Sequence, residues 1–125
     1  MLRTSLAAGA AASAMLLAGP AGAHHAFNMY DNTKYTKLTG TVSSYRWANP
    51  HTMIEFVVAD ADGKMAPWTA ECSPINMIGR HGWTADSLKP GDKVGFVIHP
   101  NKTGVQYGLL VSATKADGTV LRDKD

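Results

Sequence analysis

The sequence predicts a small, mainly β domain: an OB-fold-like barrel of five to six strands with one short helix between strands 3 and 4. Three observations predict it. Runs rich in Val, Ile, Thr and aromatic residues recur between Gly, Pro, Asn and Asp turn signals. A Ser73-Pro74 pair with a brief apolar face follows the third run. Two more runs and a short tail strand come after it. Three strands, one helix, then two strands is the order of an OB-fold, a closed or partly open Greek-key barrel. A small β-sandwich is the alternative, and it would not explain where the helix falls.

The elements follow in order. Residues 1–23 read as a secretory signal peptide that is removed. Arg3 is its positive start, Leu6 to Leu17 its Ala-rich apolar stretch, and Ala21-Gly22-Ala23 its small-x-small cleavage site. Residues 24–36 are polar and aperiodic, and predict an extended N-terminal arm. Residues 37–125 form the barrel domain. Lys37 to Trp47 has strand composition, with Gly40 suggesting a bulge and Asn49-Pro50 ending it. Thr52 to Val58 and Met65 to Cys72 flank Asp62-Gly63, a hairpin signal. A two-residue turn there would set Met53 opposite Cys72 and Val57 opposite Trp68. Ser73 caps the helix and Pro74 sits in its first turn, with Ile75, Met77 and Ile78 as its apolar face and Gly82 closing it. Lys93 to His99 and Tyr107 to Lys115 are the last long strands, and Thr119 to Arg122 is a tail strand.

The bulk properties narrow the function. The apolar segment before Ala23 is too short and too rich in Ala and Gly for a membrane span, and no second apolar run follows. The expectation is an exported protein, periplasmic or secreted, with no membrane span once the signal is gone. Loss of Arg3 lowers the formal charge from +2 to +1. That is no basic footprint, so nucleic acid is not the expected partner. The single Cys72 cannot form an intramolecular disulfide, so it is expected to be buried, metal-bound or paired with another molecule.

Several spaced motifs span nearly the whole mature chain: His24-His25 after the signal, Leu38-x-Gly40-x-Val42, Trp47-x-Asn49-Pro50-His51, Glu71-x-Ser73-Pro74, Arg80-x-Gly82-Trp83 and Leu88-x-Pro90-Gly91-Asp92. In these the chain resembles the DUF6152 family, small exported bacterial proteins of unknown function. The resemblance implies an exported β-barrel domain and no particular activity. It also implies Gly as the more usual residue at the position of Cys72, so any role of that thiol would be peculiar to this chain.

The most informative residues are His24 and His25. Cleavage after Ala23 would leave His24 with a free α-amine and an imidazole, both able to lose protons near neutral pH. Amine and ring together make a chelate suited to Cu(II), and a second imidazole from His51 or His25 would complete a tetragonal nitrogen set. The expected metal site is therefore His24, His25 and His51, with copper as the cofactor. The competing reading is a frayed terminus with exposed histidines. Met53, Cys72 and Met77 are soft donors for Cu(I), but Met and Cys are common core residues. Glu55 and Glu71 sit on adjacent strands; the register above puts them on opposite faces, against acid–base work and with Glu on the wet face. Cys72 as a nucleophile needs a base, and His81 lies past a helix. Trp47, Trp68, Trp83, Tyr45 and Tyr107 read as core or rim packing before a binding face. His99 to Lys102 reads as a solvated turn, and Arg80 and His81 as charges near the helix end. The expectation is a binding protein with no catalytic residues, whose partner is a metal ion. The alternatives are an exported protein that docks on another protein without metal, and an oxidative enzyme using a brace copper.

Overall fold

The computed structural model describes residues 28–123. The expected signal segment, His24 and His25 lie outside these residues. Among them the order is β1 (Thr36–Arg46), β2 (Met53–Ala59), β3 (Met65–Glu71), a helix α1 (Ile75–Ile78) running into a 3-10 turn (Gly79–His81), β4 (Lys93–Pro100), β5 (Tyr107–Lys115) and β6 (Val120–Arg122). The protein is mainly β: a closed five-stranded barrel with one extra strand and a short helical segment between β3 and β4, as the composition and order predict.

β1 is long because it serves two neighbours. Its first half pairs antiparallel with β4 and its second half with β2. The bulge lies between Val42 and Ser44, not at Gly40. Gly40 is instead a point of close approach, since a Cβ there would stand 2.8 Å from the Val57 carbonyl. β2 pairs with β3 and β4 with β5, all antiparallel, and a parallel pairing of β3 with β5 closes the barrel. Among the described residues β6 pairs with β5 alone.

The β2–β3 register differs from the expected one by a residue. Met53 faces Glu71, Phe56 faces Trp68 and Val57 faces Pro67. The turn is longer than two residues because Asp60 organises it. Its backbone N–H donates to the Lys64 carbonyl, and its Oδ1 accepts from the N–H groups of Asp62 and Lys64. Gly63, with φ of 78°, takes the left-handed position that a three-residue hairpin loop requires. A one-residue slip exchanges faces. Met53 therefore points outward with Glu71, and Glu55 shares their face.

The barrel interior holds Val42, Ile54, Phe56, Ala70, Cys72, Val94, Phe96, Ile98, Leu110 and Ala113. Phe56 and Phe96 stack at 3.9 Å between centroids. Cys72 is fully buried, and burial, with Asp123 and Glu71 adding to it, pushes its thiol pKa up. Ile78, Trp83 and Leu88 close one side of this core.

The start of α1 is held differently from the expectation. Ser73 is not the cap. The Asn49 side-chain oxygen accepts the Ile75 N–H at 3.2 Å, and the Ser73 N–H donates to Asp123 Oδ2 at 2.7 Å. The Trp83 indole donates to the Arg122 carbonyl at 2.9 Å. Among the described residues no helix is long and apolar enough to cross a membrane.

Candidate functional site

The corrected register builds a row across the outside of the barrel. Arg46 pairs with Met53, Met53 with Glu71, Glu71 with Leu109, and Leu109 with His99. Paired residues share a face, and adjacent strands lie about 4.8 Å apart. Five strands thus present one side chain each along a single line, with Glu71 at its centre. Two positions before Leu109, Tyr107 stands on the same face.

A barrel exterior would leave Glu71 wet. It is only 7 % exposed because the N-terminal arm crosses it. The arm joins the loop after β4: the Asp31 N–H donates to the Pro100 carbonyl and the Lys102 N–H to the Met29 carbonyl. These bonds bring Tyr30 onto the face, where it is 2 % exposed. Its ring stacks on Tyr107 with centroids 6.2 Å apart, and its hydroxyl donates to Glu71 Oε2. Burial, then the Glu71 carboxylate, raises the pKa of both phenols. Tyr30 is therefore a protonated donor at neutral pH.

The other oxygen of Glu71 faces His51. His51 Nδ1 lies 3.6 Å from Glu71 Oε1 and 3.2 Å from the Cys72 carbonyl. A carbonyl oxygen only accepts, so Nδ1 carries the proton. In the neutral ring the lone pair is then on Nε2. A carboxylate or backbone carbonyl on one ring nitrogen is the usual way a metal-binding histidine is oriented for its other nitrogen. The ring remains 28 % exposed.

The remaining candidates fall elsewhere. His99 is not in a solvated turn but in β4, 7 % exposed. Its Nδ1 donates to the Lys34 carbonyl at 2.8 Å, and Tyr35 lies over its ring. The arm covers it, which local sequence does not reveal. His81 is exposed, with Nδ1 on the Arg122 carbonyl. The three sulfurs occupy three settings: Cys72 inside the barrel, Met53 outside beside the Tyr107 hydroxyl, and Met77 exposed on α1. Glu55 is exposed on the same face as Glu71, correcting the opposite-face expectation. Tyr45, Trp47 and Trp68 pack against the core, and Trp83 is within it.

Of the three expected ligands, the structure thus describes His51 alone. Among the described residues no three His, Cys, Asp or Glu side chains gather to hold a metal. Sequence reasoning missed Tyr30 and Tyr107 as site residues and set Glu71 aside. Glu71 was visible in its motif with Ser73-Pro74, and strand parity with Cys72 set it outward, as observed; the expected register misplaced Glu55 and Met53 relative to it, and nothing in the local sequence shows that the arm covers it.

Comparison with known proteins finds no match among curated proteins or solved structures. A family model does match, over residues 12–112, and includes His51, Glu71 and the whole arm. The chain belongs to the family of unknown function DUF6152.

Proposed function

We propose that this is an exported, periplasmic copper-binding protein, with the metal held by its processed N-terminus against the barrel. The His24 amine and imidazole supply one chelate, His51 Nε2 supplies the ligand from the folded domain, and His25 is the spare imidazole. Binding or handling of copper is the function, without catalysis. One observation supports the reading above all: His51 has its Nδ1 beside protein oxygens and its ring partly exposed, which leaves Nε2 as the nitrogen that carries the lone pair in the neutral ring. The arm supports it too. Tyr30 meets the same carboxylate as His51, and six residues of chain before it span at most about 20 Å. His24 and His25 are within reach of His51 on that tether.

The test works through the amine. Mass spectrometry of the exported protein should give a chain beginning at His24. Adding one Gly before His24 keeps every imidazole and moves the amine off the chelating residue. Cu(II) affinity should fall at least tenfold, about 1.4 kcal/mol, and His51→Ala should weaken it similarly. Equal affinity of the native and Gly-extended proteins would remove the terminal amine from the site. The second reading, a protein-interaction module without metal, draws on the edge of β6 that no described residue pairs with and on exposed Met65 and Val120. It takes over if neither form binds Cu(II) better than an unrelated protein with exposed histidines.

A further inference from the structure

We propose that Cys72 is a gated modification site: the C-terminal segment, Val120 to Asp123, is a latch over a buried polar pocket, and its opening in an otherwise folded barrel admits a small disulfide to the thiol. The site needs neither copper nor any residue before position 28.

Strand parity assembles the pocket. The Cys72 N–H donates to the Thr52 carbonyl, which makes the two a bonded pair of neighbouring strands with side chains on one face. Cys72 belongs to the barrel core, and both residues are fully buried. Asp123 follows Leu121 by two residues and shares its inward face. Its Oδ2 accepts the Ser73 N–H at 2.7 Å, and its carboxylate is near enough to Cys72 for its charge to act on the thiol. Thr52 Oγ1 and Asp123 Oδ1 are buried with no hydrogen-bond partner among the described residues. The thiol thus shares its end of the barrel with an unmatched hydroxyl and an unmatched carboxylate oxygen.

The latch is the weakest closure of that pocket. The pairing of β3 with β5 closes the barrel without β6, so lifting the latch leaves the barrel whole. Val120 and Arg122 are exposed, and Leu121 is the one apolar side chain that the latch gives to the core. Its backbone lies on β5 at one side; at the other, the Arg122 carbonyl accepts the Trp83 indole and the His81 ring. A segment with so little buried apolar surface opens locally, below the free energy of global unfolding. The unmatched atoms add to this. A buried polar group without a partner costs the closed state its desolvation, and water meets that need once the latch lifts.

The step at the thiol is disulfide exchange. In the open state the Cys72 thiol gives its proton to solvent and its sulfur attacks one sulfur of the small disulfide. A new S–S bond forms to Cys72, and the other sulfur leaves as a thiolate with the electron pair of the broken bond. The attached group has no room in a fully buried site, so the modified protein keeps the latch open.

The test treats the whole protein, free of metal, with dithiobis(nitrobenzoate) at constant pH. Modification should be slow, yet about tenfold or more faster than global unfolding allows. Its opening free energy should fall with urea at under roughly half the slope of global unfolding, because a small latch exposes little surface. Leu121→Ala removes the apolar anchor and should speed modification about tenfold or more. Thr52→Val removes the unmatched hydroxyl and should slow it roughly threefold. Ile98→Val weakens the barrel, which stays folded in the open state, and should leave the modification rate unchanged while lowering global stability. In the modified protein the Asp123 amide should exchange quickly while the β1 amides paired with β4 stay protected. Should modification follow global unfolding in rate and urea slope, or should Ile98→Val speed it by the factor that it takes from global stability, the latch is wrong. If Leu121→Ala does not fold, Thr52→Val and Ile98→Val decide between them.

Discussion

Gly108 lies where the barrel closes, paired with Ala70 of β3 on one side and Pro100 of β4 on the other. A Cβ at this position would overlap Ile98 Cδ1 and stand 2.9 Å from Ile98 Cβ and 3.0 Å from Cγ1. Rotation about χ1 of Ile98 moves Cγ1 and Cδ1 but leaves Cβ where it is. Gly108→Ala therefore forces backbone apart at the seam. Overpacking of this sort costs about 1–3 kcal/mol, and the fixed Cβ contact puts this case in the upper half. A domain of this size loses about 4–8 °C per kcal/mol, so the melting temperature should fall by roughly 10–20 °C. Ile98→Val removes Cδ1 and should cost about 0.5–1.5 kcal/mol alone. In combination the two should cost less than their sum, since the valine relieves part of the overlap. Thermal and denaturant unfolding of the four proteins measures this. An unchanged melting temperature for Gly108→Ala, or strict additivity in the pair, would refute the account of the seam.

Two further outcomes are expected. Cys72, buried and with its thiol pKa pushed up by burial, should resist a thiol reagent in native buffer and react rapidly once unfolded; fast native labelling would contradict its place in the core. Tyr30, Tyr45 and Tyr107 all have raised phenol pKa values, with burial the largest cause. Above about pH 10 the unfolded chain releases protons that the folded one retains, so stability is constant below that pH and falls above it, by up to about 1.4 kcal/mol per pH unit for the buried Tyr30. Phenolate absorbance should therefore show these tyrosines ionising together with unfolding, and their smooth titration near pH 10 in an intact fold would count against the packing described.

The barrel was legible because its signals are local. Alternation in Thr52 to Val58, the turn at Lys89 to Asp92 and the Ser-Pro step before the helix each depend on neighbouring residues. The candidate site was half legible. His51 announces itself beside Asn49-Pro50, but its pairing with Glu71 did not, because which side chains at and before β2 share the face of Glu71 depends on one residue of loop length. That length is set by the Asp60 side chain taking two backbone N–H groups, a choice that Asp62-Gly63 alone does not reveal. Tyr30 gave no signal at all. A single aromatic in a polar arm has no periodicity, and its burial comes from Tyr107 and Glu71, far along the chain. Asn49 as the cap of Ile75 was hidden for the same reason, being 26 residues away.

The bonds from Arg122 and Asp123 to the helical segment have a consequence for how the chain is made. Ser73 waits 50 residues for the carboxylate that receives its N–H, and Trp83 waits 39 for the carbonyl that receives its indole. A chain emerging N-terminus first from a ribosome holds Ile78 and Trp83 without these ties until β6 is free. Every shorter length leaves the indole and the Ser73 amide to water and the core open beside them. The nascent protein therefore offers an apolar surface to chaperones and proteases until β6 is free, and withdraws it then.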